Sequence, residues 1–266
     1  MGELDGKIVI VTGGASGIGR TGAEIMAREG ALIVVADINE EGAHEVARKI
    51  VDTGGNAAAV RVDVRDSASV RAMVAATIER HGRIDGLFHN AVSVPLVNKH
   101  DRRITELDEE TWHKLIDVVL NGTFYCAKYV AQRMLEQKSG SIVLTATVDA
   151  LIGQAGIDGY TAAKGGVVAM TRSMAAGLSP EGVRVNAICP GFVETPHQAP
   201  FMDVPEERAK LEALHLMPIL KPEDVAEFAC FLISDRARYM TGGIHVVDSG
   251  YAAFKGRMDL KATIES

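Results

Sequence analysis

Short apolar, β-branched runs alternate along the chain with amphipathic stretches of about ten to twenty residues, the pattern of βαβ units in a parallel sheet. Residues 7–12, 32–37, 57–62, 84–88, 141–145, 184–188 and 244–247 read as seven strands. Helical periodicity lies between them, most clearly over 17–29, 40–51 and 67–80, and again over the Ala- and Gly-rich stretch 160–177. Segments 92–107 and 192–222 carry no clear period and read as irregular. Each follows a strand, so each is a candidate wall of the ligand crevice that open α/β sheets form beyond their strand C-termini. No Pro/Gly/Ser linker, low-complexity block or repeat interrupts the alternation. One domain over residues 1–266 is therefore expected, with a substrate loop at about 192–222 and a C-terminal tail at 252–266 that either packs or frays.

Composition adds exclusions. With 47% hydrophobic residues the 266-residue chain has ample core material, and with aromatics at 5% it lacks the ring platforms of single-strand binders. A net charge of −7, from 28 Lys and Arg against 35 Asp and Glu, repels polyanions, so no nucleic-acid partner is expected. The longest apolar runs, 8–11 and 31–36, fall far below the roughly 18 residues of a membrane span. The N-terminus has acids where a secretion signal begins basic, and Gly6 stands where a myristoylation motif has Ser or Thr, so a soluble, untargeted, cytoplasmic protein is expected. Cys126, Cys189 and Cys230 are widely spaced and form no C-x-x-C, and the eight histidines include no H-E-x-x-H. Neither a disulfide framework nor a metal site is expected.

Three constellations point to chemistry. The first strand runs into Thr12-Gly13-Gly14-Ala15-Ser16-Gly17-Ile18-Gly19 and then at once into a helical pattern. Glycines there permit a tight turn, and the helix N-terminus offers free N–H groups and positive dipole to a pyrophosphate. Asp37 closes the second strand, where a carboxylate accepts hydrogen bonds from ribose hydroxyls and repels a 2′-phosphate. With Ala15 and Ile38 in place of any cation to hold that phosphate, NAD is the expected cofactor rather than NADP. Asp63, followed by Val64, ends strand three and reads equally as a contact to an adenine edge or as a turn carboxylate. Third, Tyr160 and Lys164 stand four residues apart, on one face of a helix, where an ammonium favours the phenolate and gives a proton donor or acceptor usable near neutral pH.

Thr12-Gly13-x3-Gly17-Ile18-Gly19, Asp37, Asp63, Asn90–Ala91, Tyr160-x3-Lys164 and Pro190–Gly191 occur in an order and spacing that resemble the classical short-chain dehydrogenase/reductase family over about residues 5–251. The resemblance implies a Rossmann-type, doubly wound parallel sheet of about seven strands with helices on both faces, a three-layer αβα sandwich. It also implies reversible hydride transfer between a nicotinamide dinucleotide and an alcohol or ketone, no metal, and a homotetramer, with a dimer as the alternative. By the same resemblance Tyr160 is the general acid/base, Lys164 binds the nicotinamide ribose and lowers the Tyr160 pKa, and Asn90 lies beside the cofactor. Pro190, Gly191, Val193 and Thr195 occupy the stretch that meets the nicotinamide end.

The chain departs from the family pattern at several points. Thr147 stands where the family has a substrate-binding Ser; it keeps the hydroxyl on a stiffer side chain. Val119 replaces the Asn that helps hold a proton-relaying water, leaving its backbone carbonyl for that role, and Asn121 lies on another side of the helix. Val92 replaces the Gly of N-A-G, and Asp248-Ser249-Gly250 replaces D-G-G. These departures keep open an alternative, a weakly active or inactive NAD(H)-binding relative that senses or scaffolds. Phe201, Met202, Leu216 and Met217, with His197 and His215, suggest a mainly apolar substrate pocket or, equally, a lid packing on its own protein. The polar Lys99, His100, Arg102 and Arg103 read as solvent-facing, with a site for an anionic substrate group as the alternative.

Overall fold

A computed structural model describes residues 2–253, so the expected tail lies outside the described residues from 254 onward. The strands are β1 (Ile8–Thr12), β2 (Leu32–Asp37), β3 (Asn56–Arg61), β4 (Gly86–His89), β5 (Gly140–Thr145), β6 (Val183–Pro190) and β7 (Ile244–Val247). All pair in parallel, in the order β3-β2-β1-β4-β5-β6-β7. The first three are joined by helices α1 (Gly17–Arg28) and α2 (Glu40–Asp52), and α3 (Ser67–His81) leads into β4. Beyond β4 come α4 (Val94–His100), α5 (Glu109–Leu115), α6 (Gly122–Gln137) and the long α7 (Asp158–Leu178). After β6 follow α8 (Ala199–Met202), α9 (Pro205–Ala213) and α10 (Pro222–Ile233).

Side chains alternate across a strand, and both faces of this sheet are covered. Val9, Val11, Ile33 and Val35 join one buried cluster with Ala23 and Met26 of α1, Val46 of α2 and Val225 and Ala229 of α10. Ile10, Val34 and Ala36 face the opposite cluster with Val70 and Met73 of α3, Cys126 and Val130 of α6 and Val167 of α7. Every β1 residue is therefore buried, so that strand reads as an uninterrupted apolar run. Burying each such Val or Ile contributes about 1.5–3 kcal/mol. The expected doubly wound parallel sheet is what the chain forms.

The differences are local. β4 begins at Gly86 rather than at 84 because Asp85 turns its carboxylate to the Ile8 N–H at 2.9 Å while its own N–H reaches the Ile8 carbonyl. The two segments expected to be irregular contain helices. Ser93 and Pro95 start α4 within 92–107, and Pro205 with Glu206 and Glu207 starts α9 within 192–222. No residue of α9 is buried, so it lacks the apolar stripe by which a helix is read from sequence. It is laced instead by Arg208–Glu212 and Lys210–Glu207 ion pairs. Residues Ile116–Asn121, between α5 and α6, wind as a π-helix.

Candidate active site

The sheet changes direction beside β1. β2 and β3 lie to one side and β4 onward to the other, and Thr12 pairs with Ala36 and with His89 at the strand ends. Chain segments leaving β1 and β4 diverge there and open a crevice. A cleft of about 950 Å³ occupies it.

The glycine-rich turn forms the floor. Gly13, Ser16, Gly17 and Ile18 line the cleft. Gly13 and Gly17 have φ of +65° and +52°, in the left-handed region that favours glycine. A Cβ on Gly19 would sit 2.1 Å from the Gly13 carbonyl oxygen; this buried glycine permits close packing of turn against helix rather than lining the cleft. Ser16 caps α1 without a side-chain hydrogen bond, leaving first-turn N–H groups directed at the cleft. Asp37 also lines it, and its carboxylate accepts from the Ala15 N–H at 3.0 Å and the Asn39 N–H at 2.9 Å, tying β2 to the turn. The floor is thus a cradle of backbone N–H groups with a carboxylate at the end of β2 beside it, a donor and acceptor set that fits a dinucleotide.

Asp63, Val64, Asn90, Ala91, Pro190, Gly191, Val193 and Thr195 line the same cleft. Asp63 is held by Arg65, whose guanidinium reaches both carboxylate oxygens at 2.6–3.2 Å and keeps its carboxyl below the ordinary range. Its side chain thus ties down the turn after β3 at the edge of the cleft. The Asn90 N–H donates to Thr12 Oγ1 at 3.2 Å, and that hydroxyl meets His89 Nδ1 at 2.8 Å. Burial drives His89 down to about 3, so this ring is neutral.

Tyr160, Lys164 and Thr147 meet on the far wall. Asp101, 2% exposed, accepts from the Gly159 and Tyr160 N–H groups at 3.1 and 2.8 Å and so clasps the first turn of α7. Lys164, 3% exposed, lies with its Nζ 5.8 Å from the Tyr160 ring centre and donates to the Thr145 carbonyl at 2.5 Å. Burial lowers its pKa to about 8. The Tyr160 phenol is not lowered as expected: burial first, and the Asp149 charge second, push it up, opposed by the Thr147 hydroxyl. Lys164 does not overcome these because its ammonium is turned to Thr145. Thr147 donates to Asp149 Oδ2 at 3.0 Å.

Val92 and Thr147 line the cleft, whereas Val119 is fully buried and does not. Its carbonyl, expected to be free for a water, accepts the Thr123 hydroxyl at 2.5 Å, while Asn121 reaches away to Asp117 at 2.8 Å. In the outer wall Phe201, His197 and His215 line the cleft as expected. Met202 is instead packed beneath, and Leu216 and Met217 point outward at 55% and 67% exposure; Leu211 and Leu214 take their place. Among the described residues no three His, Cys, Asp or Glu side chains gather as metal ligands would, and no helix is long and apolar enough to cross a membrane.

A family model described as enoyl-(acyl carrier protein) reductase matches residues 13–252. The chain is 37% identical over 252 residues to cyclohexanol dehydrogenase of Acinetobacter sp. (strain SE19), covering 94% of this chain and 97% of that protein. It is 38% identical over 250 residues to cis-4-hydroxycyclohexanecarboxylate dehydrogenase of Sinomonas cyclohexanicum, covering 93% and 97%. A solved short-chain type dehydrogenase/reductase from Mycobacterium ulcerans superposes with a TM-score of 0.90 at 28% identity, covering 98% of this chain and 95% of that one. The chain belongs to the short-chain dehydrogenase/reductase family.

Short-chain dehydrogenase/reductases bind nicotinamide dinucleotides on this Rossmann fold, and the protein is an oxidoreductase of that family. Sequence reasoning missed several residues of this family member's cleft, notably Asp149, Gln154, Leu96 and Tyr251. The only signal was position: Asp149 lies two residues past Thr147, and Leu96 lies in a segment already identified as a wall.

Proposed function

We propose that the protein is an NAD(H)-dependent dehydrogenase/reductase that interconverts a secondary alcohol and a ketone. The observation that carries this is the meeting of Tyr160, Lys164 and Thr147 in the same cleft as the glycine-rich turn. When bound, NAD would accept the hydride from the alcohol carbon or return it. Gly13, Ser16, Gly17 and Ile18 would hold the pyrophosphate, Asp37 the adenosine ribose, and Asn90, Pro190, Gly191, Val193 and Thr195 the nicotinamide half. Asp37 leaves no room in charge for a 2′-phosphate, which favours NAD over NADP.

Tyr160 is the acid/base. Its raised pKa keeps the phenol protonated near neutral pH, suited to delivering a proton to the oxygen of a ketone as it becomes an alkoxide. Thr147 orients that oxygen, and Lys164 holds cationic charge beneath Tyr160. The names of the two dehydrogenases above support a ring-bearing alcohol as substrate. We further assign the protein to the cytoplasm as a homotetramer, with a dimer as the alternative.

Tyr160→Phe tests the assignment. Removing one acid/base group is expected to lower turnover about 10²–10⁴-fold while NADH affinity, read by fluorescence, stays unchanged; equal loss of both overturns the role. A second reading draws on the Thr147–Asp149 bond, which turns the Thr147 proton away from a substrate oxygen. On that reading the protein binds NAD(H) as a sensor or scaffold, and NADH binding with no turnover of any alcohol would establish it.

A further inference from the structure

The wall beyond Thr147 is more polar than an unsubstituted ring alcohol requires. Asp149 lines the cleft half-buried and, among the described residues, its carboxylate accepts one hydrogen bond, the 3.0 Å bond from Thr147 to Oδ2. Burial pushes its carboxyl up, as befits an anion short of donors, and its charge reaches the phenols of Tyr160 and Tyr251. Tyr251 donates to Gln154 Oε1 at 3.3 Å and packs against His215, ring centres 5.1 Å apart. His215 is 2% exposed and its Nδ1 is 2.6 Å from the Leu211 carbonyl, which can only accept. Its Nε2, a buried atom of a cleft-lining residue, has no hydrogen-bond partner. Asp149 with a single donor and His215 Nε2 with no partner thus stand together at the cleft wall, a costly arrangement that a ligand hydroxyl, able both to donate and to accept, would relieve.

We propose that the substrate is a vicinal diol or polyol whose non-reacting hydroxyl donates to Asp149. This rests on the dehydrogenase reading above. Asp149 and Thr147 stand one hydrogen-bond length apart, a spacing that matches oxygens on neighbouring carbons. A hydroxyl donating to Asp149 gives the carboxylate a replacement donor, so the Thr147 hydroxyl is free to rotate and donate to the reacting oxygen without leaving Asp149 unpartnered. The second hydroxyl therefore completes the catalytic arrangement as well as adding affinity. A further hydroxyl on larger polyols pairs with His215 Nε2.

The test compares kcat/KM for cyclohexanol, 1,2-cyclohexanediol, 1,2,3-cyclohexanetriol and 2-aminocyclohexanol with NAD in the wild type, Asp149→Ala and His215→Phe. A hydrogen bond to a charged group predicts a diol preference over cyclohexanol of about tenfold or more in the wild type. Asp149→Ala should bring that ratio close to one. His215→Phe, which retains a ring against Tyr251, should lower the triol-to-diol ratio and leave the diol-to-cyclohexanol ratio in place. Equal use of cyclohexanol and diol by the wild type, or a ratio that survives Asp149→Ala, overturns the proposal and leaves the dehydrogenase reading standing. Preference for the amino alcohol overturns the hydroxyl assignment. Failure to oxidise any of the four by protein that turns over another secondary alcohol overturns this proposal alone, and NADH binding with no turnover of any alcohol overturns the dehydrogenase reading with it.

Discussion

At Lys164 stability and chemistry pull in opposite directions. It is an ammonium at 3% exposure, with a pKa lowered from 10.5 to about 8 by burial. Between those values the unfolded chain holds a proton that the folded protein has released, so stability rises with pH across that window and the penalty is fully present below pH 8. Its size is on the order of 3 kcal/mol. Lys164→Met should therefore unfold at a higher urea midpoint than the wild type at pH 6.5, with the gap closing by about pH 10.5, and should lose dehydrogenase turnover. A lower midpoint at pH 6.5 would mean that the Lys164 bond to Thr145 outweighs the buried charge. Tyr160 and Lys164 were legible as a pair because the i, i+4 spacing survives into any helix. Which way the ammonium turns was not, since that depends on the Thr145 carbonyl at the end of β5, nineteen residues earlier.

The helix that carries Tyr160 is positioned by an element that sequence patterning left blank. Asp101 follows α4 in the segment expected to be irregular, and its two carboxylate oxygens hold the N–H groups of Gly159 and Tyr160. A carboxylate at a helix N-terminus satisfies donors the helix cannot and opposes its dipole, contributing about 1–2 kcal/mol. Asp101→Ala should lose about that much stability by urea unfolding and lower kcat several-fold while NADH affinity holds. Asp101→Asn should recover most of both, because an amide oxygen still accepts; no recovery would mean that the charge itself matters. Long-range capping of this kind leaves no local trace, whereas Asp66 and Asn39, which cap their own helices two or three residues on, are readable in sequence.

Across the whole molecule, cofactor binding and folding are one equilibrium. At a hundred times its dissociation constant a ligand adds about 2.7 kcal/mol, or about 5–10 °C in a chain of this size. NADH should raise the melting temperature by that amount and NADPH at equal concentration by much less. In Asp37→Ala the two shifts should converge even though the loss of the Ala15 and Asn39 bonds lowers the starting temperature. A larger shift with NADPH in the wild type would refute the role given to Asp37. The alternation of apolar runs and helical stretches, the glycine turn and the motif order sufficed for the parallel sheet and the family, because each depends on neighbours within a few residues or on linear order alone. Which face Met202, Leu216 and Met217 present, the direction of the Thr147 proton, the burial of Val119 away from the cleft and the convergence of Asp149, Tyr251 and His215 were decided by packing. Those contacts join residues 2 to 102 positions apart, and nothing but the folded backbone sets their distances.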